Sequence, residues 1–528
     1  MKRILALVMT LVMLLALCAC SSTENSAKTS DKASESSETP AAADGKRVLR
    51  VGTTDTACDY YPTSGGGIQK HMVYEGIYQI GDGKYEPWLI ESFTWVDETT
   101  AELVLRDGVT FSNSDPLEAE DILYSLRLAA TASGSVFAST FSKIDFDRCT
   151  VSDDGKTVTL VLKEAYGPFE SVLFCCYVVD KSATENLASD EPGWWDTTVA
   201  TGPYEVVENV DGSHVTLRLR EDYWDKEHMP DWDEITLNFY SNATAMFIAF
   251  ENGEIDLALG VDANDAARLE SGDVSHPDTT SYGICHANAN YFFAMSPYKE
   301  EFQDVKVREA IAHVLNGDDI GSVQFGILYD ADIDSTLPSS VRYYAPQGKY
   351  ETDVEYARQC MAESAYPDGF ECNVVAISSD SGMWEVIQAE LAQLNISVNI
   401  TFYDMLTCMP LWMNEGGTDI QTITVNGGNS SLDPNESFQM ICDDGMLAAC
   451  RILDEDYNEL YYRAAGTTNS EKRAEAYSEM QKWLYDNFQI IPLFQPDYCY
   501  CWNNTVLTAD GLPSVTKSYL QFATHSVD

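Results

Sequence analysis

The sequence predicts an α/β protein. Two strand–helix–strand units and two further amphipathic helices carry that expectation, in a chain of 528 residues that is 45% hydrophobic. Single cores stop growing near roughly 250–300 residues, so a chain of this length needs two or three.

The N-terminus stands apart. Lys2 and Arg3 precede an almost unbroken apolar run from Ile4 to Leu17. That run is too short for a lasting membrane span, which takes about 20 residues, and fits a secretory leader. Residues 1–19 are therefore expected to be removed. Cys18 follows the bulky Leu17, whereas Cys20 follows the small Ala19. Leu17-Cys18-Ala19-Cys20 resembles a bacterial lipobox, which makes Cys20 the expected lipidated residue. From Ser21 to Lys46 there is no large apolar side chain. Such a segment cannot bury enough surface to fold and reads as a tether over 20–46. As a coil it spans roughly 28 Å.

The first βαβ unit begins where Ile235, Leu237 and Phe239 alternate on one face of a strand. ATAMFIAFENGE (243–254) then has helical composition with Gly253 as its stop, and IDLALG (255–260) follows as a strand. VKVREAIAHVLNGDDI (305–320) reads as one helix with Val307, Ile311, Val314 and Leu315 inward. The second unit runs from CNVVAI (372–377) through WEVIQAELAQLN to ISVNITF (396–402). Its Ile387, Leu391 and Leu394 fall on one stripe. EKRAEAYSEMQKWLYDNF is a further amphipathic helix. It leads into QIIPLF, an apolar strand expected to be broken by Pro492. Alternating strands and helices imply sheets with right-handed crossovers.

The 32 Lys plus Arg against 84 Asp plus Glu give a net charge of −52. That argues against nucleic acid or anionic lipid as a partner. Twelve cysteines remain besides Cys18 and Cys20, with no Cys-x-x-Cys. An oxidising compartment would allow a Cys442–Cys450 bridge, and a reducing one would leave small buried hydrophobes. Catalytic and metal patterns find no support. Asp330, Asp332 and Asp334 have the opening spacing of a calcium loop, but Ser335 and Val341 stand where Gly and Glu are needed. No His-Glu-x-x-His or Gly-x-Ser-x-Gly occurs, and the seven histidines are scattered. Neither an enzyme nor a cofactor is expected.

A series of short blocks resembles, in order, the extracellular solute-binding proteins of family 5, the oligopeptide-, dipeptide- and nickel-binding receptors of ABC importers. They are VYEGIY (73–78), YEPWLIESFTW (85–95), LVLRDGVTFSNSDPLEAEDILYSL (103–126), TGPYEVVE (201–208), REDYW (220–224) and ENGEIDLAL (251–259). VKVREAIAHVLN, YETDVEYARQCMAESAYPDGF and QIIPLF follow. The resemblance implies a two-lobed periplasmic-binding-protein-like fold of class II, with mixed sheets flanked by helices. Lobe I would be 47–285 plus 490–528, with a subdomain inserted near 80–195, and lobe II would be 286–489. Residues 288–297 and the stretch near Ile490 would cross between them. It further implies a monomeric receptor, lipid-anchored on the outer face of the bacterial cytoplasmic membrane, that captures peptides and delivers them to a permease. A non-peptide ligand (glycan, nickel chelate or opine) or, at greater distance, a secreted hydrolase remain as alternatives.

The cleft is expected to use loops that follow strands: Asp59, Tyr60 and Tyr61 after RVLRVGTT, and Trp412 and Asn429 in the second lobe. Trp412 also fits a core position on its amphipathic helix. Peptide-binding relatives often carry a Trp-x-x-Asp before an Asp-Pro or Glu-Pro step, its carboxylate pairing with the ligand's ammonium. Counting back from Asp433-Pro434 puts Gly427 at the tryptophan and Ser430 at the acid. Either Asp433, Asp404 or Asp59 supplies the charge, or the ligand has no free ammonium there and meets Asn429 and Ser430 through neutral hydrogen bonds. The second reading is preferred.

Overall fold

A computed structural model of the chain describes residues 45–55, 61–63, 67–81, 84–133, 135, 138–187, 199–424, 432–509, 522 and 524–527. Cys20, the leader and all but the last two tether residues lie outside them, as do Asp59, Tyr60, Asn429 and Ser430.

The fold is two-lobed and periplasmic-binding-protein-like, built from mixed sheets flanked by helices. Strand β1 (Val48–Thr53) is central in the first lobe. β2 (Tyr204–Val210) and β3 (His214–Leu219) form a hairpin, and β3 pairs with β4 (Glu234–Phe239). β4 and β5 (Leu257–Val261) flank β1 in parallel. The alternation read from sequence holds, since Ile235 and Leu237 are fully buried. Between β1 and β2 the chain adds a four-stranded antiparallel sheet (Ile90–Trp95, Thr100–Leu105, Thr150–Val151, Thr157–Val161) with a hydrophobic core of its own. Helix α1 (Ala119–Thr131) covers it. Asp121 starts α1 as half of a capping box, its carboxylate accepting from the Glu118 N–H. The helix α2 (Ala243–Glu251), capped by Asn242, joins β4 to β5.

β6 (Thr280–His286) and β7 (Tyr291–Met295) both pair with β11 (Ile490–Asn503) near the C-terminus. β11 is antiparallel to β7 over its first residues and to β5 and β6 over its last. One strand thus belongs to both halves of a ten-stranded sheet. The expected break at Pro492 does not occur. Over Ile490–Phe494 β11 has a strand partner only on the β7 side, and a register shift falls beside Pro492, so a residue with no N–H is accommodated at an edge.

The second lobe holds α3 (Val305–Val314), α4 (Gly317–Phe325), β8 (Phe370–Ile377), α5 (Ser381–Leu391), β9 (Ile396–Tyr403), α6 (Met405–Trp412), β10 (Ile420–Thr424) and α7 (Ser470–Asn487). β8 and β9 are parallel over eight residue pairs, and β10 pairs with β7. The single helix expected over 305–320 is two. Asn316 ends the first by giving its N–H to Glu390, and its side chain caps the second by accepting from Asp318 N–H. Gly317 is required at the junction, because a Cβ there would lie 1.9 Å from the Leu493 carbonyl oxygen. Cys442 and Cys450 are both thiols and are not bridged to each other. The Cys442 thiol faces Gln439 O and the Asp444 carboxylate, and the Cys450 thiol faces Ala294 O, so the two sulfurs are turned to separate acceptors.

The blocks of the resemblance converge on two buried side chains. Glu75 of VYEGIY accepts from Trp88 Nε1 (2.8 Å), Tyr223 OH (2.6 Å) and Trp224 Nε1 (2.9 Å). Arg220 of REDYW donates to the carbonyls of Gly202 (2.8 Å) and Phe111 (3.0 Å). Five separate stretches of the first lobe are tied together by these two residues.

Candidate functional site

In open α/β sheets ligands bind outside the C-terminal ends of parallel strands. In the first lobe those ends are Thr53, Phe239 and Val261, and residues 56–60 follow the first of them. In the second they are Ile377 and Tyr403. β10 lies beside β8, with Asp419 N–H donating to Asn373 O and the Asp419 carboxylate accepting from Asn373 N–H, and its end at Thr424 runs into 425–431. Asp59 and Tyr60 thus follow a strand end in sequence in one lobe and Asn429 and Ser430 in the other, and both stretches lie outside the described residues.

The residue that follows 56–60 is Tyr61. Its ring is in the first lobe's core, and its carbonyl accepts from Lys70 Nζ at 3.1 Å. Lys70 is wholly buried. Next to it, His71 has its pKa pushed down to about 3, first by burial and then by the Lys70 charge, so the ring is neutral. It shares a hydrogen bond with Tyr177 OH. Sequence reasoning missed this cluster. Lys70 lies between the polar Gln69 and His71, so the sequence carried no signal that it is interior.

On the opposite side, Trp412 is 3% exposed, packed among Phe292, Phe438 and Ile441, with its indole N–H donating to Val375 O. It stands behind the strand ends, at the core position that its helix also allowed. Asp404 caps α6, accepting from Thr407 N–H and OH. Asp433 pairs with Arg473 at 2.9 Å, the two side chains 1% and 3% exposed. Burial works against the Arg473 charge, and the Asp433 carboxylate more than reverses this, so its pKa is raised. Beside this pair Leu432 enters the core of the four-stranded sheet, and Asn435 Nδ2 donates to Tyr166 OH. The segment that follows 425–431 is thus clasped from both sides. Arg473 was also missed, although it lies on the same helical stripe as Ala476, Tyr477 and Met480.

Behind the crossing strands, Asn290 Nδ2 donates to the carbonyls of Ser335 (3.1 Å) and Thr336 (3.4 Å), and Ser340 OH to Asn288 Oδ1 (2.7 Å). Among the described residues, one set of metal-ligating atoms lies within 4.8 Å of one another, from Cys442, Asp443 and Asp444. The protein itself uses them: Asp444 accepts from the Cys442 thiol and Asp443 from Tyr462 OH.

Residues 84–446 match the family described as bacterial extracellular solute-binding proteins, family 5 Middle. A glutathione-binding protein of Salmonella paratyphi A is 25% identical over 379 residues, covering 69% of this chain and 71% of that one. Among solved structures, the ABC transporter substrate-binding protein CtaP of Listeria monocytogenes superposes with a TM-score of 0.80 at 19% identity, over 91% of this chain and 99% of that one. The periplasmic binding protein DppA of Helicobacter pylori, in complex with the peptide STSA, gives 0.72 at 18% identity, over 91% and 98%.

Proposed function

The chain belongs to the bacterial extracellular solute-binding proteins of family 5, and we propose that its two lobes close on a peptide or peptide-like solute and deliver it to an ABC permease. The observation that carries this reading is the pair of strand ends, Thr53 in one lobe and Thr424 in the other, that 56–60 and 425–431 follow in sequence. Lobe I is 47–285 with 490–528 and an insertion near 80–195, and lobe II is 286–489. The sharing of β11 between both halves of the sheet supports that division. Closure about the crossing strands is a hinge motion and needs no chemistry. The chain binds its solute and does not transform it. It works as a monomer.

Asp59, Tyr60, Asn429 and Ser430 make the ligand contacts in this reading. Tyr61, Trp412 and Asp433 back them as a wall, since their side chains are already committed to the protein interior. Calorimetry on the purified mature chain, with glutathione and di- to pentapeptides as probes, tests the proposal. One equivalent should bind and be recovered unchanged. Turnover of the probe would support a hydrolase, and silence across the peptide series would move the ligand outside peptides.

Because Arg473 neutralises Asp433, a ligand ammonium gains little from that carboxylate. N-acetylating the tightest peptide should therefore change its dissociation constant less than about threefold. A buried ammonium that needed a carboxylate would cost about 3–5 kcal/mol on losing it, so abolished binding would show that another acid takes the charge.

Cys20 is the lipid anchor, because it alone has a small residue before it in the leader. Fractionation should find Cys20→Ala released from the membrane and Cys18→Ala retained. The reverse result would move the anchor.

A further inference from the structure

The second lobe contains a cavity of about 230 Å³ whose lining comes only from residues 312–352 and 481–493. None of the strand ends that edge the interlobe crevice takes part. We propose that this cavity is a second binding site, for one neutral polyhydroxylated molecule of monosaccharide size.

The size is the first reason. At about 30 Å³ per water the space equals roughly seven waters, too much for a single structural solvent molecule and suited to one sugar ring. The second is Thr336, which lines the cavity and is 6% exposed. Its hydroxyl has no hydrogen-bond partner among the described residues. Buried hydroxyls are nearly always partnered, so an orphan needs an external one. The neighbours cannot supply it. Ser335 OH is spent on Gln481 Oε1, which also takes Ala345 N–H, while Gln481 Nε2 is held by the carbonyls of Tyr343 and Tyr477.

The third reason is a rigid aromatic wall. Tyr350 and Tyr485 line the cavity and stack at 4.7 Å with 6° between their planes, and Tyr350 OH is fixed on the Tyr485 carbonyl. A flat aromatic face beside a buried hydroxyl suits a ring with apolar and hydroxylated sides. Charge decides against an ion. The charged lining residues Lys349 and Glu351 have opposite signs and are both exposed. The N-terminus of α4, which opens on the cavity through Asn316 and Gly317, already carries Asp318 and Asp319 in its first turn. Those carboxylates satisfy the helix dipole and repel an anion.

The site also touches both crossing segments. Thr336 O holds Asn290, one residue before β7, and Ile491 to Leu493 of β11 line the cavity. Filling it stiffens the root of the hinge.

The test uses the full mature protein, with D-glucose, D-galactose and myo-inositol as probes, by thermal shift and calorimetry. At least one probe should raise the melting temperature saturably and bind with one-to-one stoichiometry. Thr336→Val keeps the shape and removes the hydroxyl. It should weaken that binding about tenfold, the equivalent of one hydrogen bond, while the unliganded melting temperature holds or rises. Ala331→Leu, which fills the cavity from its wall, should abolish binding. Two results overturn the proposal: no saturable shift with any of the three probes, or a shift of equal midpoint in wild type and Thr336→Val, which would put the sugar in the interlobe crevice.

Discussion

Replacing Glu75 with Ala should remove about 4–6 kcal/mol of stability, read as a lower urea midpoint. The figure follows from what the carboxylate does. It accepts from two indole N–H groups and one phenol, contributed by Trp88, Trp224 and Tyr223. Each donor left unsatisfied in the interior costs about 1–3 kcal/mol. Glu75→Gln keeps acceptor oxygen for two of the three and should cost about a third as much. Its pH dependence separates hydrogen bonding from charge. Burial, the largest influence, raises the Glu75 pKa above its ordinary 4.5 even though its donors pull the other way. A raised carboxyl pKa means that the folded state favours the proton. The stability Glu75 contributes is complete below pH 4.5 and declines as the pH rises through its folded pKa. Gln does not titrate, so the gap between wild type and Glu75→Gln should narrow as the pH rises from 4 to 7. A widening gap would mean that the ionised form is the one the site prefers.

Glu75 also explains which part of this molecule was legible in its sequence. The blocks of the resemblance are scaffold: Glu75 holds Trp88, Tyr223 and Trp224, Arg220 holds the carbonyls of Gly202 and Phe111, and their order along the chain reports a fold. Strand alternation at Ile235 and Leu237 and the stripe Ile387–Leu391–Leu394 were readable because burial sets the period. The two failures have local causes that pattern does not carry. The split at Asn316 depends on a Leu493 carbonyl against Gly317, and the continuity of β11 through Pro492 depends on an edge being open there. The candidate site was less legible. A loop can be recognised as following a strand, but whether Trp412 faces solvent or core is decided by Val375, Phe292 and Phe438, which are distant in sequence. Arg473 could have been suspected as a charge on an apolar helical stripe, though nothing in the sequence names its partner, whereas Lys70 between Gln69 and His71 gave no such signal.

Arg473→Met should cost about 3–5 kcal/mol in the same urea assay, because it leaves Asp433 as an uncompensated buried charge. Arg473 makes three kinds of contact that methionine cannot replace. It donates to Asp433 and to the Ala464 carbonyl, it shares a hydrogen bond with Tyr477, and its guanidinium lies over the Tyr343 and Tyr477 rings at 5.2 and 5.4 Å. The loss from charge can be told from the loss of packing with a second substitution. Asp433→Asn in the Arg473→Met background removes the stranded carboxylate while keeping an acceptor for the Asn435 N–H. The double variant should recover more than half of what the single one loses, giving a coupling energy above about 1.5 kcal/mol. Equal losses in the single and double variants would instead make packing the cause. On the proposed function binding should respond in the same order, since Leu432 and Asp433 directly follow the segment that carries Asn429 and Ser430. Leu432 and Asp433 are held by a buried ion pair on one side and the four-stranded sheet's core on the other, a fixed base for the segment before them in that proposal. Freeing that base adds an ordering cost to closure, so affinity should fall even though Arg473 itself touches no ligand.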